Sequence, residues 1–119
     1  MSELSQAALV ELSKWIDGGN KTRFDSMSVE ELRDELLLLH RTVKVAEELG
    51  ESVAALIGHT GANPRKGITH QRADIIDELL DVAVTALGAI EHITGHDGYS
   101  LERLNHKIVA VSTRVGADR

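Results

Sequence analysis

The stretch Leu79-Leu80-Asp81-Val82-Ala83-Val84-Thr85-Ala86-Leu87-Gly88-Ala89-Ile90 decides the fold class. It shows no clean apolar–polar alternation, so it does not read as a half-buried strand. Read as a helix it is apolar on nearly every side, and such a helix is buried all round. Three short helical partners from one small chain would struggle to cover it. A second copy of the chain is therefore expected to complete the core, with a self-sufficient single chain as the alternative. Asp81 stands out in this setting. A buried, unpaired carboxylate is costly, so Asp81 is expected to be paired, protonated or on a metal ion.

Outward from this run, the chain is punctuated by its one proline, Pro64, and by glycines within 18–19, 58–67 and 95–98. Four segments result. Residues 4–17 place Leu4, Ala8, Leu9, Leu12, Trp15 and Ile16 at helical spacing. The second segment opens at Ser28 with Glu31 three residues later, a capping-box signature. It carries Leu32, Leu36, Leu39, Val43, Ala46, Leu49, Val53 and Leu56, and extends to Ile57. That is a helix of about 45 Å. Gly50 weakens it by roughly 1 kcal/mol relative to alanine. Residues 70–94 form the third segment. Residues 100–115 form the fourth, with Ser100 as its N-cap. No internal repeat, low-complexity tract or linker interrupts them. Residues 1–119 thus read as a single all-α domain, a four-helix chain forming an oligomeric helical bundle.

Composition removes several classes. The 119 residues hold 13 Lys and Arg against 19 Asp and Glu, a net charge of −6. This balance argues against a phosphate-backbone binder, so no nucleic-acid partner is expected. Aromatic residues are 3% of the chain (Trp15, Phe24 and Tyr99), too few for a base-stacking platform. The absence of cysteine excludes disulfides, zinc–thiolate sites and thiol nucleophiles. The opening Met1-Ser2-Glu3-Leu4-Ser5 lacks the basic and apolar regions of a signal peptide. No apolar run reaches the ~20 residues needed to span a bilayer. A cytoplasmic location and no membrane partner are the expectations.

The acids carry the chemistry. Glu78 and Asp81 stand at i and i+3 on one helical face, and Glu48 and Glu51 form a matching pair in the second segment. Glu47 lies one turn before Glu51. Antiparallel packing of the two segments, reversed through residues 58–67, would bring the pairs together. Four convergent carboxylates cannot all stay ionised without a cation. Hard oxygen donors without His or Cys select magnesium, manganese or calcium. The chemistry implied is metal-assisted attack of water on a phosphoanhydride. The plainer reading is a solvated acidic face with i,i+4 pairs such as Lys44 to Glu48.

Lys44-Val-Ala-Glu47-Glu48-Leu-Gly-Glu51, then Glu78-Leu-Leu-Asp81, resembles the EExxE…ExxD signature of the MazG-like nucleotide pyrophosphohydrolases, in the all-α NTP pyrophosphatase superfamily. The resemblance covers residues 44–93, with weaker similarity in the flanks. The stretch Gly61-Ala-Asn63-Pro64-Arg65-Lys66-Gly67-Ile-Thr69-His70 is similar to the inter-helix loop of actinobacterial MazG-like proteins. The resemblance implies Mg2+, or Mn2+, held by Glu48, Glu51, Glu78 and Asp81. Glu47 would be a further ligand or orient the attacking water. It implies cleavage of nucleoside triphosphates, (d)NTPs, between the α and β phosphates to (d)NMP and pyrophosphate. It also implies a homodimer or homotetramer whose pockets combine chains.

A triphosphate needs further cations. Lys44 lies one turn before Glu48, at the rim of the carboxylates. Lys107 and Arg114 share a face of the last segment and match the family's basic positions there loosely, with Asn105 as a candidate for its asparagine. Arg65 and Lys66 lie in the glycine-rich loop, whose backbone N–H groups suit an anion. For each the competing reading is a solvated cation. This loop is not a P-loop, because the spacing, the Ser or Thr and the preceding strand are missing. Trp15 suits core packing with Leu12 and Ile16, or stacking on a base as in some relatives. His92 and His96 are a metal-pair spacing that Gly95 interrupts, and His70 starts the third segment close enough to touch substrate. The expected function is a magnesium-dependent pyrophosphohydrolase of non-standard or excess nucleotides. The alternatives are a narrower dUTP or phosphoribosyl-nucleotide pyrophosphatase, a nucleotide-binding regulatory module without turnover, and a structural dimerisation bundle.

Overall fold

A computed structural model of the chain describes residues 3–117. Among these, four helices and no strand are found: α1 Glu3–Asp25, α2 Val29–Thr60, α3 Arg72–Ile93 and α4 Ser100–Ala117. The all-α reading holds. Met1 and Ser2, part of the signal-peptide reading, lie outside the described residues. No described helix is long and apolar enough to cross a membrane. The chain divides into two compact units, up to Leu36 and from Leu37 onward.

In the first unit, α1 does not stop at Gly18-Gly19 as the sequence suggests. It continues through Asp25. The two glycines lower helix propensity without breaking the hydrogen-bond ladder. The Thr22 hydroxyl donates to the Gly18 carbonyl at 2.9 Å. Arg23 ion-pairs with Glu35 and lies 5.1 Å from the centroid of the Phe24 ring. The helix ends where Ser26 Oγ donates to the Arg23 carbonyl at 2.7 Å. The capping box at α2 forms as expected: Ser28 N–H donates to Glu31 at 3.0 Å, and Glu31 N–H to Ser28 Oγ at 3.1 Å.

In the second unit, α2 and α3 run antiparallel. Gly58 lies against His70, Glu48 reaches Glu78 and Asp81, and Arg41 lies over Gly88. Gly50 sits inside α2 without breaking it. Residues 61–71 make the reversal. Gly61 and Gly67 take φ of 67° and 65°, which favour glycine. Gly58 is needed for close approach, and its carbonyl accepts from Thr69 N–H at 2.8 Å. A Cβ there would lie 2.1 Å from His70 Nδ1 and 2.5 Å from Thr69 Oγ1. Both residues are held by the Gly58 carbonyl, so neither withdraws freely. Gly58→Val is expected to destabilise by about 1–3 kcal/mol, as overpacking does, read as a lower Tm.

The third segment starts two residues later than expected. Gln71 N–H donates to Asp74 Oδ2 at 2.7 Å, and His70 stays in the loop. α3 ends at Ile93 before Gly95 and His96, both at positive φ, so no helical His92–His96 pair exists. Ser100 does not cap α4 with its own hydroxyl. Glu91 of α3 does the capping, accepting from Gly98 N–H at 2.8 Å, Ser100 N–H at 3.1 Å and the Ser100 hydroxyl. Asp97 takes a two-bond clamp from Arg103 at 2.8 and 2.6 Å.

The Ser100 hydroxyl, then the Gly98 N–H, hold the Glu91 carboxyl below its ordinary pKa, and Arg103 foremost lowers Asp97. Because both folded values are depressed, their stabilisation is full above the unfolded carboxylate pKa, about 4. It is lost as pH falls through the folded values. Melts between pH 6 and pH 2.5 should therefore show a steep loss below pH 4 that Glu91→Gln makes shallower. An unchanged profile in that variant would remove Glu91 from the account.

The α2–α3 pair is inverted relative to an ordinary helical hairpin. At 100° per residue, Glu48, Ser52 and Ala55 share a narrow arc of α2, and each is buried. Leu39, Val43, Val53 and Ile57 fall on the opposite arc, and all are exposed. On α3, Glu78, Asp81 and Thr85 share one arc while Ile76 and Leu80 lie opposite and exposed. Among the described residues the buried apolar core is Ala55 alone. α4 covers part of the outer face of α3. There Ala83, Ala86, Leu87 and Ile90 line a cleft of about 240 Å3 with Arg103, Leu104 and Lys107.

Candidate metal centre

α2 and α3 bring three carboxylates together. One oxygen each from Glu48, Glu78 and Asp81 lies within 4.8 Å of the others. The antiparallel pairing produces this from spacing alone, since i and i+3 residues stack on one helical face. Glu48 is buried, Glu78 half-buried and Asp81 exposed. Glu51 joins electrostatically. The Glu48 charge and a hydrogen bond to it, with smaller effects from Glu78 and Glu47, raise the Glu51 carboxyl above its ordinary pKa. The centre is one in which additional positive charge is favoured.

Glu78 supplies the test of fit. Its Oε2 is buried and has no hydrogen-bond partner. A buried carboxylate oxygen without a donor is costly unless a cation takes that place. The donor set is all hard oxygen, which suits Mg2+ or Mn2+. Glu48, Glu78 and Asp81 fit a divalent ion, and Glu51 borders them.

Lys44 forms the i,i+4 pair considered above. Its Nζ lies 3.1 Å from Glu48 and 3.4 Å from Glu47, and Glu48 foremost raises its pKa. Asp81 departs from expectation, because within one chain it is exposed. Its apolar neighbours in sequence, Leu80 and Val84, are 58% and 67% exposed too.

The other candidates lie apart. The loop offers no backbone nest. Asn63 accepts from Arg65 N–H at 3.1 Å through Oδ1, and from Lys66 and Gly67 N–H at 3.1 and 3.0 Å through its carbonyl. Those donors are committed to the turn, and the Arg65 side chain is exposed. Lys66 lines a cavity of about 220 Å3 with Asn63, Thr69 and His70, and His70 Nδ1 is 2.8 Å from Thr69 Oγ1. Lys107 faces the α3–α4 cleft, on the side of α3 opposite Glu78 and Asp81. Arg114 is exposed in the last turn of α4. Trp15 is 76% exposed in the first unit and does not pack into a core. Arg41, seven residues before Glu48 and not singled out by the sequence, lies against Gly88 of α3.

No protein-family model, curated protein or solved structure matches this chain.

Proposed function

We propose that the chain is a magnesium-dependent nucleoside triphosphate pyrophosphohydrolase that works as a homo-oligomer. The observation that carries this reading is the convergence of Glu48, Glu78 and Asp81, with the buried Glu78 Oε2 lacking a partner. The metal rests on those oxygens. The nucleotide rests on the likeness of Glu47-Glu48-x-x-Glu51 and Glu78-x-x-Asp81 to the MazG-like signature.

Bound there, the ion supplies Lewis-acid polarisation of phosphoryl oxygens and favours ionisation of water. The chain's own groups do the rest. Glu48, Glu78 and Asp81 hold the centre, and Glu51 fixes the side nearest Glu48. Glu47, exposed and paired with Lys44, takes the proton of the attacking water. The water oxygen bonds to phosphorus as the bridging P–O bond breaks, giving monophosphate and pyrophosphate. Lys44 offsets charge developing on the phosphate oxygens.

The inverted hairpin supports the oligomer. Exposed apolar arcs on both α2 and α3 are unusual on a monomer and point to an interface. A second copy offers the same apolar face and completes the burial with two-fold symmetry. The test is incubation with a panel of NTPs and dNTPs, with and without Mg2+, resolving products. Magnesium-dependent monophosphate and pyrophosphate are expected. Diphosphate and orthophosphate would assign the wrong bond. Metal and nucleotide binding with no turnover across the panel would make the chain a regulatory module.

A further inference from the structure

Among the described residues of α2 that face α3, Arg41 is a cation in no ion pair with an acid. It lies on the α2 arc of Glu48 and Ser52, two helical turns, or roughly 10 Å, from Glu48. Its Nη1 sits 3.2 Å from where a Cβ on Gly88 would be. Gly88 lies mid-helix in α3, where glycine lowers stability by about 1 kcal/mol relative to alanine. Without a side chain there, the guanidinium of Arg41, an exposed residue, lies against Gly88. Among the described residues Arg41 has no ion pair, although the chain carries 19 acids against 13 basic residues. Lys44, the nearer cation, is already tied to Glu47 and Glu48.

A guanidinium left unpaired in an acid-rich chain, in one groove with a cation-binding centre, suits an anion lying along that groove. Its planar fork matches phosphate oxygens in a two-bond arrangement that an ammonium does not reproduce. We infer that Arg41 binds the polyphosphate end of the substrate, with Gly88 opening the groove for it. This rests on the carboxylates being a metal centre for a phosphoanhydride substrate.

The test measures steady-state turnover of the best NTP and equilibrium binding of inorganic tripolyphosphate with Mg2+. Proteins compared are the full-length wild type, Arg41→Gln, Arg41→Lys and Gly88→Ala. Arg41→Gln should raise KM and the tripolyphosphate Kd roughly 10- to 100-fold, with kcat within about threefold. Arg41→Lys should recover part of this. Gly88→Ala displaces the guanidinium by a few tenths of an ångström while favouring the helix, so its Kd should rise without a fall in Tm. Unchanged tripolyphosphate affinity in Arg41→Gln, or none in the wild type, overturns the inference. A wild type that binds tripolyphosphate through Arg41 but hydrolyses no NTP upholds the inference and overturns the proposed reaction.

Discussion

Asp81→Asn and Glu48→Gln should each lower magnesium-dependent hydrolysis by at least 10²-fold while the helical content stays that of the wild type. Each replaces one carboxylate oxygen of the three-residue cluster by an amide, at nearly the same volume. Asp81 is exposed in the single chain, so Asp81→Asn disturbs no packing within it. Glu48 is buried and bonded to Lys44, so Glu48→Gln also weakens that pair. Asp81→Asn is therefore the cleaner test. A separate readout comes from Mg2+ itself. An ion that binds the folded chain stabilises it by RT ln(1 + [L]/Kd), about 2.7 kcal/mol at one hundred times Kd. Wild type should gain Tm with Mg2+, and Asp81→Asn should lose most of the gain. Full turnover in a folded Asp81→Asn protein would remove the carboxylates from the reaction. An equal Tm gain in both proteins would place the ion elsewhere.

Leu80→Glu should break the assembly. In one chain Leu80 is 58% exposed, and a charge on a free surface changes stability by only about 0.5 kcal/mol. If a second copy covers that face, the same carboxylate is buried without a partner, at a penalty of several kcal/mol. The two arrangements thus differ by roughly tenfold in energy for one substitution. Sedimentation of the wild type should give a dimer or tetramer with a concentration-dependent Tm. Leu80→Glu should sediment as a smaller species with a much lower Tm. A wild type that is monomeric at micromolar concentration, with Leu80→Glu equally stable, would leave the apolar faces uncovered and discard the oligomer.

The four helices and the i,i+3 spacing of the acids were legible in the sequence. Period and punctuation are local properties. Ser28 with Glu31 fixed the start of α2, Gly58 and the loop after it set the reversal, and i,i+3 spacing put Glu78 with Asp81 and Glu48 with Glu51. Local rules failed at two helix ends. Gly18-Gly19 did not end α1, because a helix tolerates weak residues while its ladder is intact. Ser100 did not cap α4, because Glu91, nine residues earlier, reaches it first. Helix packing alone set Lys107 facing away from Glu78 and Asp81, and Arg41 over Gly88. Each depends on which arc of one helix meets which arc of another. A helix that is apolar nearly all round, as α3 is, leaves that rotation open. The antiparallel pairing settles it by turning small and acidic residues inward and apolar ones outward.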